Sequence, residues 1–325
     1  MTDSLIFCMT ILAAGLRTGT PLLFATLGAI LNEKSGVLNL GMEGMMLVGA
    51  LAGFATTHQT GNPWLGVTAG IAAGGALSLL HAFVAITLRG DQVVSGLALA
   101  FVGRGLTAVL GAQYVQVRDI TRLPTISLPF LKNIPLFGNS ILYPLFGEQN
   151  IVFYLGVLAV PLISLLLTRT RWGLHLRAVG DDPTAADSVG ISVRRQRYLW
   201  VFVGGCFAGL AGATLSLAVT PLWIEDLTAG QGWIAIGLVI FAGWLPWRAA
   251  LGAYMFGALR RLPLDLQAVA WLPFAKNPNL GILLDMLPYA FTIFALLFSS
   301  LQAQRQRQGA PLALGVPYRR GERGL

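Results

Sequence analysis

Apolar stretches long enough to cross a bilayer alternate with short polar turns along almost the whole chain. With a window of about 20 residues, candidate spans fall at 5–31, 40–57, 64–88, 93–112, 151–168, 198–219, 233–244, 249–262 and 280–301. Several are short or interrupted. The pattern predicts an all-α polytopic membrane protein, a bundle of roughly eight to ten helices, some of them broken. The first run is too long for the apolar region of a signal peptide and has no well-placed small-residue cleavage pattern, so it is read as part of the mature fold.

Polar positions inside these runs carry the next layer of information. From Asn32 to Phe54 the chain reads NEKSGVLNLGMEGMMLVGALAGF, a charged, glycine-punctuated turn opening into an apolar helix that holds Glu43 near its start. A carboxylate facing hydrocarbon costs several kcal/mol, so Glu43 must face protein or water. Gly66, Gly70 and Gly74 recur every fourth residue, as do Gly49 with Gly53 and Gly205 with Gly209. This spacing puts glycines on one face and predicts closely packed helices. Pro21, Pro161, Pro246 and Pro288 lie within or at the ends of spans, where they bend helices or free carbonyls.

Composition closes off the soluble alternatives. Hydrophobic residues make up 55% of the chain and charged residues 11%, and the mean hydropathy is +0.69, which leaves too little polar surface for a domain in water. The net charge of +8 sits in turns and at the C-terminus, with no basic domain to hold a nucleic acid. Cys8 and Cys206 both lie in apolar runs and read as small core residues. His58, His81 and His175 do not form the i, i+4 pair of a zinc protease, and Ser78 and His81 share one helix, the wrong geometry for a serine protease. Asp181 and Asp182 sit in a loop, not within the membrane as an aspartyl protease requires. No Walker A sequence is present, and GQGWIAIG lacks the spacing and preceding strand of a dinucleotide fingerprint. The residues point to no enzyme chemistry, and the chain is expected to bind no cofactor or metal itself.

Charge in the turns suggests an orientation. Arg169, Arg171, Arg177, Arg194, Arg195 and Arg197 crowd the loop 169–197, and Arg305, Arg307, Arg319, Arg320 and Arg323 fill the tail 302–325. Residues 221–231 hold Glu225 and Asp226 and no basic residue. The positive-inside rule then places the loop, the C-terminal tail and Arg89 in the cytosol and 113–150 outside. The permease domain is drawn at 1–301 and the basic tail is read as disordered. The side of the N-terminus stays open, because a break near 37–53 changes the parity.

The loop RAVGDDPTAADSVGISVRRQR, residues 177–197, contains a helix of its own. Asp182 suits the N-cap, Pro183 the first helical position and Gly190 the residue past the end, which predicts a helix over 183–189. Two turns are marginal in water below roughly 12 residues, so this helix needs a partner surface. Ala185, Ala186 and Ser188 keep it slim. The surface is either a groove on another protein or the face of its own bundle.

SGVLNLGMEGMMLVGA, LRGDQVVSGLAL, RAVGDDPTAADSVGIS and GQGWIAIGLVIFAGWLPWRAALGA together resemble the membrane permeases of bacterial ABC importers, in the branched-chain amino-acid and simple-sugar permease family. The first and last blocks most resemble the branch that imports nucleosides with basic-membrane-type lipoproteins. The resemblance runs in order over roughly 5–301. It implies a transport subunit, a type II importer-like bundle in the bacterial inner membrane, and a coupling helix in Asp181, Asp182, Pro183, Thr184, Ala185, Ala186 and Gly190 that engages a cytosolic ABC ATPase, the partner that would hold ATP and its magnesium. It also implies a second permease, homologous or identical, and an extracytoplasmic substrate-binding protein docking on 113–150, with Pro124, Pro129, Pro135 and Pro144. The family usually has asparagine where this chain has Asp91. Nucleosides, purine nucleosides first, are the expected solute, with simple sugars or branched-chain amino acids as the alternative. A stand-alone channel or secondary transporter is the competing class and has no need of a protruding cytosolic helix.

Candidate pathway or bracing residues complete the reading. Asn39 and Glu43 are four apart and share a face if a helix is already formed there, with Arg17 and Arg104 as possible counter-charges. Gln92 and Ser95, and Gln231 and Trp233, can hydrogen-bond or stack with a solute, although a tryptophan at a span end also suits the interface belt. Asp285 is a further candidate brace.

Overall fold

A computed structural model describes residues 2–117, 120–134, 143–267 and 309–319, with scattered positions between 286 and 297. Its helices are α1 (Thr2–Lys34), α2 (Met42–Thr60), α3 (Pro63–Ala82), α4 (Gln92–Gly111), α5 (Tyr143–Phe146), α6 (Ile151–Arg169), α7 (Arg171–Asp181), α8 (Pro183–Ser188), α9 (Val193–Thr214), α10 (Gln231–Ala242) and α11 (Pro246–Gln267). One turn of π-helix extends α3 over Phe83–Thr87 and another extends α9 over Leu215–Val219. Among the described residues, five helical stretches are long and apolar enough to cross a membrane: Met9–Lys34, Pro63–Thr87, Gln92–Tyr114, Ile151–Arg169 and Val193–Val219. The chain is an all-α polytopic membrane protein. Much of the predicted last span and Asp285 lie outside the described residues.

Helix α10, too short for the bilayer, and helix α2, which begins only after a re-entering segment, explain the interrupted spans. Helix α10 has 12 residues, about 18 Å of rise against a hydrocarbon core of about 30 Å. It starts inside the bundle and ends where the Trp244 indole donates to Glu33 on the last turn of α1, at 2.7 Å. Helix α2 also starts inside, with Gly44 packed on Leu99 and Ala100 near the middle of α4, and leaves towards the opposite end. Each is preceded by an irregular segment, 35–41 or 220–230, that descends into the bundle. The order α1, irregular segment, α2 therefore recurs as α9, irregular segment, α10 with the sense reversed. Irregular backbone is tolerated at this depth because protein surrounds it.

Direction follows from the contacts. Lys34 meets Gly309, and Gly180 packs on the Lys34 carbonyl, so α1 finishes at the end of the bundle that carries α7, α8 and the tail. Arg17, at the middle of α1, donates to Gln149 at 2.8 Å, and the Gln149 amide reaches the Ala13 carbonyl one turn earlier at 3.5 Å. That places the N-terminal half of α1 with residues 143–150, where Glu148–Asn150 pairs antiparallel with Thr125–Ser127, Gln149 opposite Ile126. The predicted glycine stripes meet one another: a Cβ on Gly49 would lie 2.5 Å from Gly209 Cα, and one on Gly74 the same distance from the Gly205 carbonyl oxygen. Helices α2, α3 and α9 thus pack backbone to backbone. Lipid supplies no hydrophobic drive between helices, so this close van der Waals fit holds them together.

The tail corrects the sequence expectation. Residues 309–319 are docked, not disordered: Ala313 donates its N–H to the Gly180 carbonyl at 2.9 Å and Gly315 to the Gly36 carbonyl at 3.1 Å. Lys34 reaches the Gly309 carbonyl at 2.8 Å and Arg197 the Val316 carbonyl at 3.0 Å. The segment therefore straps the end of α1 to α7 and α9. Residues 302–308 and 320–325 lie outside the described part.

Candidate functional site

The starts of α2 and α10 meet at Glu43. Its side chain is 3% exposed, and its carboxylate accepts the N–H of Gly230 at 2.8 Å, the N–H of Gly232 at 2.6 Å and the Thr228 hydroxyl. Gly230, with φ +81, turns the chain into α10 in a left-handed conformation that glycine adopts without strain. At Gly232 a Cβ would come within 2.4 Å of the Glu43 nitrogen, so the two helix starts touch. Both helix dipoles present their positive ends to the carboxylate. Glu43 is thus a brace on freed backbone donors. Neither expected counter-charge pairs with it, because Arg17 bonds Gln149 and Arg104 bonds Asp226. Asn39 shares no helical face with Glu43, since α2 begins only at Met42; its Oδ1 accepts the Gly41 N–H at 3.0 Å and holds the turn.

The irregular segment before α2 is held by α3 and α4. Gln92 Oε1 accepts the Leu38 N–H at 2.8 Å, and His81 Nε2 lies 3.0 Å from the Leu38 carbonyl oxygen. Ser95 Oγ is 3.1 Å from His81 Nδ1, which assigns the Nε2–H tautomer: the ring donates to Leu38 and accepts from Ser95. Gln92 and Ser95 therefore position the backbone of Leu38. Asp91 caps α4 by accepting the Val94 N–H at 2.9 Å, a role that asparagine fills equally well.

Charge also stands on the outside of the bundle at the same depth. Arg104, the thirteenth residue of the 20 in α4, donates from Nε and Nη2 to the two Asp226 oxygens at 3.1 and 2.7 Å. Yet 54% of the Arg104 side chain and 39% of the Asp226 side chain remain accessible. Phe101 is 67% exposed one turn before Arg104, and Trp233 is 38% exposed on the first turn of α10. Gln231 beside it is buried, and its N–H bonds the Thr228 carbonyl at 3.0 Å. Sequence reasoning missed Asp226 and Thr228, although an acidic pair with no basic neighbour before GQG was visible there.

At the tail end, α8 forms over Pro183–Ser188 with Asp182 as N-cap, accepting from the N–H groups of Thr184 and Ala185 at 3.0 and 2.9 Å. Gly190 ends it with φ +86. One face lies on the protein itself: Ala186, 2% exposed, packs with Val179, Val193 and Tyr318 of the tail. Asp181, Asp182, Ala185, Ser188 and Val189 face outward, and Pro183 and Thr184 are half-buried.

The family described as branched-chain amino acid transport system / permease component matches residues 11–296. The chain is 42% identical to the putative glucose ABC transporter permease protein TsgC13 of Haloferax volcanii, over 97% of this chain and 98% of that protein. It is 34% identical to the guanosine ABC transporter permease protein NupQ of Bacillus subtilis, over 96% and 97%. It is 32% identical to the nucleoside ABC transporter permease protein NupC of Lactococcus lactis, over 95% and 96%. No solved structure matches the chain significantly.

Proposed function

The chain belongs to the family of branched-chain amino acid transport system permease components, and on that premise we propose that it forms one wall of the solute pathway in an ATP-driven nucleoside importer. The observation that carries the pathway is the Arg104–Asp226 pair. A charge at mid-length of a spanning helix and its partner in the segment before α10, both partly open, are too costly to leave against lipid and require water or another polar surface in front of them. In a two-permease assembly that surface is the pathway between the subunits. Phe101 and Trp233 supply aromatic faces at its edge for a nucleobase, and the guanidinium and carboxylate supply donors and acceptors for ribose hydroxyls.

Helix α8 suits the role of the contact to a cytosolic ATPase. It is capped, anchored by Ala186 and the tail, and presents Ala185, Ser188 and Val189 outward. This reading puts the basic loop and the C-terminus in the cytosol of a cell whose plasma membrane holds the complex. An external binding protein then docks on the 113–150 face. The two relatives named for guanosine and nucleosides favour those solutes, and the relative named for glucose supports a second reading, a hexose.

Co-expression with the genes beside it, purification and reconstitution test the assembly. ATP-dependent uptake of labelled guanosine, competed by other nucleosides and not by glucose, is the expected result. Uptake of glucose alone selects the second reading. Purification with neither an ATPase nor a second permease overturns both.

A further inference from the structure

A cavity of about 360 Å³ opens at the tail end of the bundle where α9 begins, apart from the Arg104–Asp226 face. Its wall includes Arg89, Asp187, Ser192, Arg194, Arg197 and Tyr318. We propose that this cavity is an oxyanion site that takes a phosphoryl group, carried either on a membrane phospholipid or on a small soluble phosphate.

Three independent features point to an anion. First, three arginines against one aspartate leave the wall with an excess of positive charge. Second, Arg197 is 2% exposed, and its guanidinium has one acceptor, the Val316 carbonyl, while Nε and Nη2 have none among the described residues. A buried charge left so poorly matched is costly, and an anion beside it lowers that cost. Third, the 22-residue helix α9 starts in the wall of the cavity, and its N-cap Ser192 makes no side-chain capping bond. Open N–H groups and the positive end of a long helix are an anion-binding arrangement.

The rim is also preformed. Arg194 donates from Nη2 to Thr87 Oγ1 at 3.0 Å and lies over the Tyr198 ring, 5.9 Å from its centroid. Arg89, at the turn into α4, adopts φ +57, which aims a residue other than glycine from a left-handed turn. Guanidinium groups that line one cavity can recognise phosphoryl oxygens by paired, charge-assisted hydrogen bonds. The volume admits the group and the first atoms of its carrier, given about 30 Å³ per water in the liquid. With Asp187 of α8 and Tyr318 of the strap in its wall, a ligand here bridges α8, α9 and the tail.

The full chain in phosphatidylcholine nanodiscs provides the test, with tryptophan fluorescence reporting thermal unfolding. Inorganic phosphate should raise the midpoint above chloride at equal ionic strength if the carrier is soluble. Partial replacement of phosphatidylcholine by phosphatidylglycerol should raise it if the carrier is lipid. In an Arg89→Gln/Arg194→Gln double variant, both exposed positions, the concentration for half the effect should rise about tenfold or more, as expected for losing charge-assisted hydrogen bonds. Arg197→Met serves as a second variant where it folds. No stabilisation by either probe, or the same stabilisation in the double variant, overturns the proposal.

Discussion

Glu43 and Gly232 stand 189 residues apart in sequence, and Glu43 Oε2 accepts the Gly232 N–H at 2.6 Å. The contact joins the starts of two helices that each follow an irregular segment inside the bundle. Replacing Glu43 by Ala strands the N–H groups of Gly230 and Gly232 and the Thr228 hydroxyl. At about 1–3 kcal/mol for each buried orphan, the variant should lose roughly 3 kcal/mol or more. Glu43→Gln keeps one acceptor oxygen and should fall between. Thermal unfolding in detergent measures both, and an alanine variant as stable as the parent rules out the bracing role.

Water must reach Arg104 if it lines a pathway. Gly105 beside it has open space around its Cα, so Gly105→Cys should react rapidly with a membrane-impermeant thiol reagent in a background lacking the two native cysteines. Leu158, 53% exposed on the apolar α6, serves as the lipid-facing control. Leu158→Cys should react at least about tenfold more slowly, since a thiolate forms poorly in hydrocarbon. Equal labelling of the two positions sinks the assignment of the pathway face.

Much of this arrangement was legible in the chain because its rules are local. Span positions follow from apolar runs, and α8 follows from Asp182, Pro183 and Gly190, each suited to one place at a helix end. The partners of Glu43 were not legible, because its acceptors' mates lie in a loop that sequence places far away. Asn39 misled for a local reason: its side chain bonds the Gly41 N–H and keeps the helix from starting earlier. In the tail, the arginine-rich stretch hid PLALGVPY, whose apolar and proline residues differ from the Gln- and Arg-rich run before it. Backbone carbonyls on α7 and at Gly36 complete that strap, and no side-chain pattern announces them.

The glycine seam allows a sharp contrast. A Cβ on Gly209 would lie 2.1 Å from the Gly70 carbonyl oxygen, a backbone atom held by its own helix. Gly209→Ala must therefore push α3 away from α9, and the expected result is loss of folded protein on size-exclusion chromatography. Gly61 has φ +69 and nothing within 4 Å of an added Cβ. Gly61→Ala should cost only the left-handed backbone penalty, about 1–2 kcal/mol, and remain monodisperse. Similar profiles for the two variants contradict close packing as the main hold between these helices.

Helix α8 has two faces, and they predict different defects. Ala186 is 2% exposed against Val179, Val193 and Tyr318, so Ala186→Arg forces a long charged side chain between the helix and its own support. That variant should lower the thermal midpoint and lose transport as a consequence, so its failure says nothing about an ATPase. Val189 is 74% exposed and stands outside the buried cluster of Val179, Ala186 and Val193. Val189→Asp should leave unfolding unchanged, within about 0.5 kcal/mol for an exposed site, while cutting ATP-driven uptake and co-purification of the ATPase by tenfold or more, because a charge at the centre of a packed contact is left unpaired. Paired measurements of stability and uptake separate the two cases. Full uptake in Val189→Asp, with α8 still folded, removes this helix from the coupling path and leaves its capped turn a structural clasp for the strap.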